Sequence, residues 1–362
     1  MLAMSPIPPP PGSPTNRYSE SSSAAALGKD LFFDKGLSVD GSTACSTCHD
    51  PSKHFTDGER VHTALGVGNR NVPTIETAGW QIWFFWDGRA DSAWAQATGP
   101  IRNPLEMGGS AEGVRARVIE VHGAAWTAAF GPVPDDAVLT LSLAGKAIEA
   151  FERTLSPGRS RFDVFVDELR ERGSSSALTD AEQHGLAVFL DSGCTNCHSG
   201  PLFSDMGFHN IGVSQVAKGG MDIGRALGAT RVQEDPYNCL GAFSDAHATT
   251  PSASSTNEAP GRKECPELRF LDASVDDWPL AFKTPTLRNV ASTGPYMHDG
   301  SIATLRGVVE FYNELPGKPL IGHRELTLVP LHLSGGESDD LVAFLGSLTA
   351  EGRLDDSLGA AP

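Results

Sequence analysis

Apolar residues recur at helical spacing in several separated stretches of this chain, and nowhere is there the sustained alternation of a strand-rich protein. Leu139, Leu143, Ala147, Phe151 and Leu155 share one face of a helix predicted over 136–155, with Asp135 or Asp136 placed to cap it. Thr179-Asp180-Ala181-Glu182 spells a capping box, and the helix it opens runs through Leu186, Phe189 and Leu190 to a stop at Gly193. Leu305, Val308 and Tyr312 lie on one face over 304–315, and 339–348 reads as a last amphipathic helix. The fold class that follows is mainly α, with long loops.

Breaks in the pattern divide the chain. Residues 1–23 are rich in Pro and Ser with little to bury, and are expected as a disordered tail. Ser156-Pro157-Gly158-Arg159-Ser160 interrupts the helical pattern and reads as a boundary. At 362 residues the chain exceeds the size at which one core usually keeps growing, so 24–155 and 161–350 are expected as two domains. An insertion is expected at about 225–270, exposed where Ser, Thr, Ala and Pro dominate between Phe243 and Lys263.

Each half holds one copy of a motif with chemistry of its own. Cys45-Ser46-Thr47-Cys48-His49 and Cys194-Thr195-Asn196-Cys197-His198 both spell Cys-x-x-Cys-His, the attachment signature of a c-type haem. Two thiols at this spacing each form a thioether with one haem vinyl group, and the next residue, an imidazole, becomes the proximal iron ligand. Zinc is the alternative for paired cysteines, but a four-thiolate site wants its pairs roughly 15–20 residues apart. These lie far more widely spaced, and each is followed directly by His. The reading is therefore two cytochrome c-like domains carrying two covalent haems. Trp80, Trp83, Phe84, Phe85 and Trp86 form an aromatic cluster of the kind that is usually core, although an indole beside a haem also relays electrons.

Composition adds constraints. Lys and Arg total 28 against 45 Asp and Glu, a net charge of -17, which argues against nucleic-acid binding. Nowhere do about 18 or more apolar residues run together, so no membrane span is expected. Haem attachment occurs outside the cytoplasm, which predicts a periplasmic or otherwise exported protein. Met1 to Pro14 nevertheless lacks the charged start and apolar run of a secretory signal: either a leader has been removed or a lipoprotein-type tail remains. Cys239 and Cys265 are left over. They either pair, closing a loop worth about 3–4 kcal/mol, or stay as two thiols.

Further motifs carry a resemblance. Trp86-Asp87-Gly88-Arg89-Ala90, Gln96 and Asn103-Pro104-Leu105-Glu106-Met107 resemble the distal strip of the di-haem bacterial cytochrome c peroxidase and MauG-like family. Leu31-Phe32-Phe33-Asp34, Arg70-Asn71-Val72-Pro73-Thr74 and Ser160-Arg161-Phe162-Asp163 are similar to the family's, as are Thr284-Pro285-Thr286-Leu287-Arg288-Asn289 and Pro295-Tyr296-Met297-His298-Asp299-Gly300. The resemblance covers the chain from about Ala26 to Leu348. It implies that hydrogen peroxide reacts at the haem on His49, with Gln96 and Glu106 over its distal face. Glu106 would move the peroxide proton and Gln96 would orient peroxide or water. It further implies that Trp86 relays electrons between the haems, and that Asn71, Thr293 and Pro295 bind calcium.

Two departures matter. The peroxidase branch supplies Met as distal ligand of the second haem, and the matching position here is Tyr312, as in the MauG-like branch. A thioether raises the potential, whereas a phenolate stabilises more oxidised iron. Met297, Met206 and Met221 are the fallback ligands. In peroxidases that need reductive activation a loop His blocks the first iron; the counted position here is Thr63, with His62 one residue away, and an open iron is expected. His209 is expected to contact haem propionates or to pack. The implied partners are a protein substrate in the MauG-like branch, or a small cytochrome or copper protein in the peroxidase branch. Either a monomer or a homodimer is compatible. A non-catalytic di-haem electron carrier is the reading from another class.

Overall fold

Caps set where the helices begin. Asp136 accepts from the backbone N–H of Val138 and of Leu139 at 2.8 and 3.2 Å. Thr179 and Glu182 exchange bonds at 3.3 and 2.8 Å, closing the expected capping box. The computed structural model describes residues 1–213, 216–217, 220–247, 265–274 and 278–351. Its first half carries α1 (Ser22–Phe33), α2 (Cys45–Cys48), α3 (Ala93–Arg102), α4 (Ala111–Arg117), α5 (Gly123–Phe130) and α6 (Ala137–Glu152). There follow α7 (Arg161–Arg172), α8 (Asp180–Asp191), α9 (Arg225–Glu234), α10 (Pro266–Arg269), α11 (Leu305–Glu314) and α12 (Gly335–Gly346). The named strands among the described residues are two residues long: Phe208–His209 pairs with Phe282–Lys283, and Val216–Ala217 with Gly220–Met221. The protein is mainly α. The last helix starts four residues earlier than expected because another capping box, Ser334 with Glu337, spans two glycines that hide the apolar pattern.

Two hydrophobic clusters are built by the same device. One gathers Leu27, Phe32, Trp94, Trp126 and Ile148, and the other Phe162, Phe189, Phe203 and Phe344. In the first, α1 crosses α6 so closely that a Cβ on Gly28 would lie 1.9 Å from the Ala147 carbonyl oxygen. In the second, α8 crosses α12 with Gly185 1.9 Å from the Asp340 carbonyl oxygen by the same measure. Each crossing needs glycine because a side chain would hold the two backbones apart.

Residues 1–23, expected to be disordered, are packed. Met4 sits in the second cluster and Thr15 bonds into the first, so the segment straps one to the other. Arg288 donates to the Met4 carbonyl at 2.9 Å, Trp80 to Pro8 at 2.8 Å and Arg153 to Pro11 at 2.6 Å. Trp94 donates to Thr15 Oγ1 and Asn16 to the Lys146 carbonyl, both at 3.0 Å. Removing residues 1–16 exposes Met4's pocket and orphans these donors, and should cost about 3 kcal/mol. The expected readout is a melting temperature lower by about 4 °C in the holoprotein, and an unchanged value would show the strap to be idle.

The expected insertion also differs. Its start is the packed helix α9, whose Gly228 abuts the Asp87 backbone. Phe243 stacks on Tyr237 at 5.4 Å, and Asp245 pairs with Lys146 at 2.7 Å. Cys239 and Cys265 form a disulfide. Residues 248–264 lie outside the described residues. No helix among the described residues is long and apolar enough to cross a membrane.

Candidate functional site

The two Cys-x-x-Cys-His motifs fold into the same local shape. In each, one helical turn carries the two cysteines, and the His backbone N–H returns to the carbonyl of the first Cys, at 2.9 Å for His49 and 2.8 Å for His198. The imidazoles are oriented alike. His49 Nδ1 donates to the Phe55 carbonyl at 3.0 Å and His198 Nδ1 to the Phe203 carbonyl at 2.8 Å. A backbone carbonyl can only accept, so the proton is on Nδ1 and Nε2 keeps its lone pair for a metal. Desolvation pushes the Cys45 thiol up to about 12 and the Cys194 thiol to about 11, and none of the four motif cysteines is in a disulfide.

Both motifs open on one continuous cavity of about 850 Å³. Its walls include Ile148, Phe189, Leu202, Leu305 and Val308 as well as both imidazoles. Apolar walls, paired thiols and Nε2 lone pairs are the donor set that a thioether-linked haem requires, so the residues fit two such groups.

Trp86, Gln96 and Glu106 line this cavity. Trp86 is pinned at both ends: its Nε1 donates to the Asn71 carbonyl at 2.9 Å, and its own carbonyl accepts from Lys283 N–H at 2.8 Å. The turn after it is held by charge. Fully buried Asp87 takes Arg89 at 2.9 Å and Arg70 at 2.8 Å, while the Arg70 fork also grips Asp222. Gly88 adopts φ +65°, and a Cβ there would meet Phe208 at 2.3 Å, so the motif's glycine is obligatory. Gln96 comes from the first turn of α3, capped by Ser92. Pro100 lies in the last turn of α3, which ends at Arg102, and Glu106 follows on the turn beyond it, where Asn103 Nδ2 donates to Glu106 Oε1 at 2.8 Å.

Tyr312 lines the cavity from α11, and desolvation pushes its phenol well above the usual range, with Cys197 and Cys194 adding to the rise. Met206, Met221 and Met297 line it too. Asn71, Thr293 and Pro295 are also on the wall. Asn71 Nδ2 donates to the Glu59 carbonyl at 2.9 Å, so Oδ1 is the amide atom that a cation would take. His209 bonds Asp205 at 2.9 Å and Glu325 at 3.0 Å; the two carboxylates help raise it to about 11. It packs through these ion pairs, one of the two outcomes expected for it.

Sequence reasoning undervalued two residues. His62 lines the cavity with Nε2 3.8 Å from Glu106 Oε1, whereas Thr63, the counted loop position, is exposed. Lys283, which desolvation pushes down to about 7, donates to the Trp83 carbonyl at 2.7 Å and to Gln81. No sequence signal marks it except its place just before the Thr284 motif.

Comparison with known proteins agrees with this geometry. The family described as di-haem cytochrome c peroxidase matches residues 22–171. The methylamine utilization protein MauG of Methylorubrum extorquens is 34% identical, over 90% of this chain and 78% of that protein. Cytochrome c551 peroxidase of Nitrosomonas europaea is 31% identical, over 92% of this chain and 81% of that protein. Among solved structures, a MauG-like protein associated with microbial copper homeostasis superposes with a TM-score of 0.71 at 29% identity, covering 98% of this chain and 97% of the other.

Proposed function

Because this chain belongs to the family of di-haem cytochrome c peroxidases and MauG proteins, we propose that it reacts with hydrogen peroxide at the His49 site and draws the electrons from a protein through Trp86 and the His198 site. It is a peroxidase-type oxidoreductase of a family that carries two c-type haems. The observation that carries the finer reading is the single cavity joining both motifs, with Trp86, Glu106 and Tyr312 on its wall.

In this reading Cys45, Cys48 and His49 hold the first haem in the 24–155 domain, and Cys194, Cys197, His198 and Tyr312 hold the second in the 161–350 domain. A haem held by Cys45, Cys48 and His49 would supply the redox chemistry that splits the peroxide O–O bond. Everything else is work for the side chains. Glu106, its Oε1 fixed by Asn103, takes the proton from the bound peroxide oxygen on Oε2 and returns it to the departing one. Gln96 orients peroxide through its amide. Two electrons from the donor and two protons complete the conversion of peroxide to two waters. Trp86, held rigid between Asn71 and Lys283, conducts between the sites, and calcium on Asn71, Thr293 and Pro295 would stiffen the junction. An exported, periplasmic location suits covalent haem attachment.

Tyr312 favours a MauG-like role in which the electron donor is a residue of a partner protein. His62, which lines the same cavity as His49, supports a second reading, a peroxidase fed by a small cytochrome or copper protein, in which a loop His would block the first iron at rest. Electron paramagnetic resonance of the oxidised holoprotein, before and after one equivalent of peroxide and without prior reduction, separates them. Joint loss of a high-spin and a low-spin ferric signal is expected for the first reading. No reaction until half-reduction would establish the second.

A further inference from the structure

A second, smaller cavity of about 240 Å³ is also lined by Glu106. It shares Phe85, Arg89, Pro100, Asn103, Glu106 and Arg231 with the large cavity, while Gly99 and Arg102 line only the small one and no haem-attachment residue is on its wall. Its rim carries Arg102 and Arg231, both exposed. Between the two cavities stands a stacked pair: the Arg89 guanidinium lies 3.5 Å from the Phe85 ring centroid and is tied to Asp87 at 2.9 Å.

We propose that this polar passage is the route by which hydrogen peroxide reaches Glu106 from solvent, and that Gly99 sets its bore, admitting peroxide and excluding bulky alkyl hydroperoxides. The inference rests on the reading that Glu106 stands over the His49 haem. Haems held by the two Cys-x-x-Cys-His motifs would take up the large cavity, whereas no attachment residue lines the small one, which meets the same Glu106 carboxylate. Its polar lining suits a molecule that both donates and accepts hydrogen bonds. Gly99 lies on the passage wall within α3 and has no positive φ, so the backbone does not require glycine there. A Cβ at this position would meet Phe85 Cζ at 3.3 Å as its nearest neighbour. The missing side chain is therefore clearance between the helix and the stacked pair.

The test is azide association with the oxidised holoprotein, followed by stopped-flow at the Soret band. Gly99→Leu should slow it at least tenfold with the resting spectrum unchanged, and Gly99→Ala should fall between. Arg102→Glu, a surface change at the rim of the small cavity only, should slow anionic azide severalfold and weaken its salt dependence, while turnover of neutral hydrogen peroxide stays within twofold. If Gly99→Leu does not fold, Arg102→Glu decides alone. Unchanged azide rates in the variants would overturn the passage. No spectral change on adding azide to the parent protein would instead overturn the open first iron, and this inference with it.

Discussion

Glu106→Gln is expected to lower kcat/KM for hydrogen peroxide by about 10²–10⁴-fold while leaving the haem absorption spectrum and the melting temperature as they are. The size of the effect follows from what the substitution keeps. Asn103 Nδ2 donates to Glu106 Oε1 at 2.8 Å, and a glutamine oxygen can accept the same bond, so the side chain stays in place. What disappears is the carboxylate oxygen proposed to carry a proton from one peroxide oxygen to the other. Gln96→Ala removes an orienting amide and no proton carrier, so a smaller loss of about tenfold to a hundredfold is expected. Stopped-flow reaction of the oxidised holoprotein with peroxide measures both. A loss below tenfold in Glu106→Gln would mean that another group moves the proton, and His62, 3.8 Å from the same carboxylate, would be the one to replace next.

How much of this could be read in the sequence depends on which atoms make each contact. The haem motifs were legible because covalent attachment requires contiguous residues in a set order. The helices at 137–152 and 180–191 were legible because their caps are side-chain atoms with strong residue preferences. The N-terminal strap was not, because most of its bonds end on the backbone carbonyls of Met4, Pro8 and Pro11, and every residue type has a carbonyl. Low apolar content suggested disorder; a polar segment held by buried Arg and Trp donors has no compositional signature. His62, noted one residue from the counted position, was undervalued for another reason. The short hairpin in which Thr63 bridges Val67 puts the neighbouring residue, and not the counted one, into the cavity.

The shared motifs outside the haem sites turn out to be joints. Arg288 of the Thr284–Asn289 motif donates to Asp163 of the Ser160–Asp163 motif at 2.7 Å, both nearly inaccessible to solvent. Asn289 donates to Glu76 at 2.6 Å and to the Pro157 carbonyl at 2.9 Å, tying the residues after the first haem motif to the chain at the boundary. In the proposed relay through Trp86, transfer would depend steeply on distance and orientation, and these joints brace the segments that carry Asn71 and Lys283, between which Trp86 is held.

Tyr312→Met is the change with the largest expected effect on the second site. A phenolate brings a negative charge to the iron and favours its oxidised states; a thioether is neutral and favours the reduced one. In the proposed ligand set the substitution should raise the reduction potential of the second haem by on the order of 0.1 V or more, within the range of about 0.8 V over which axial ligands act. The cavity makes the effect sharper. Desolvation disfavours a lone phenolate at Tyr312, so the phenol loses its proton there only if a metal takes the oxygen. Tyr312→Phe should therefore remove the ligand outright, converting the second haem from a low-spin to a high-spin or Met-ligated signal, with Met206 and Met297 on the same wall as the replacements. Potentiometric titration with paramagnetic resonance reads both variants. An unchanged potential in Tyr312→Met, together with an unchanged low-spin signal in Tyr312→Phe, would assign the second iron to another ligand. The electrons would then be stored there as in a peroxidase served by a small redox protein. If instead Tyr312→Met reacts with peroxide only after half-reduction, one side chain on α11 decides which of the family's two chemistries this fold performs.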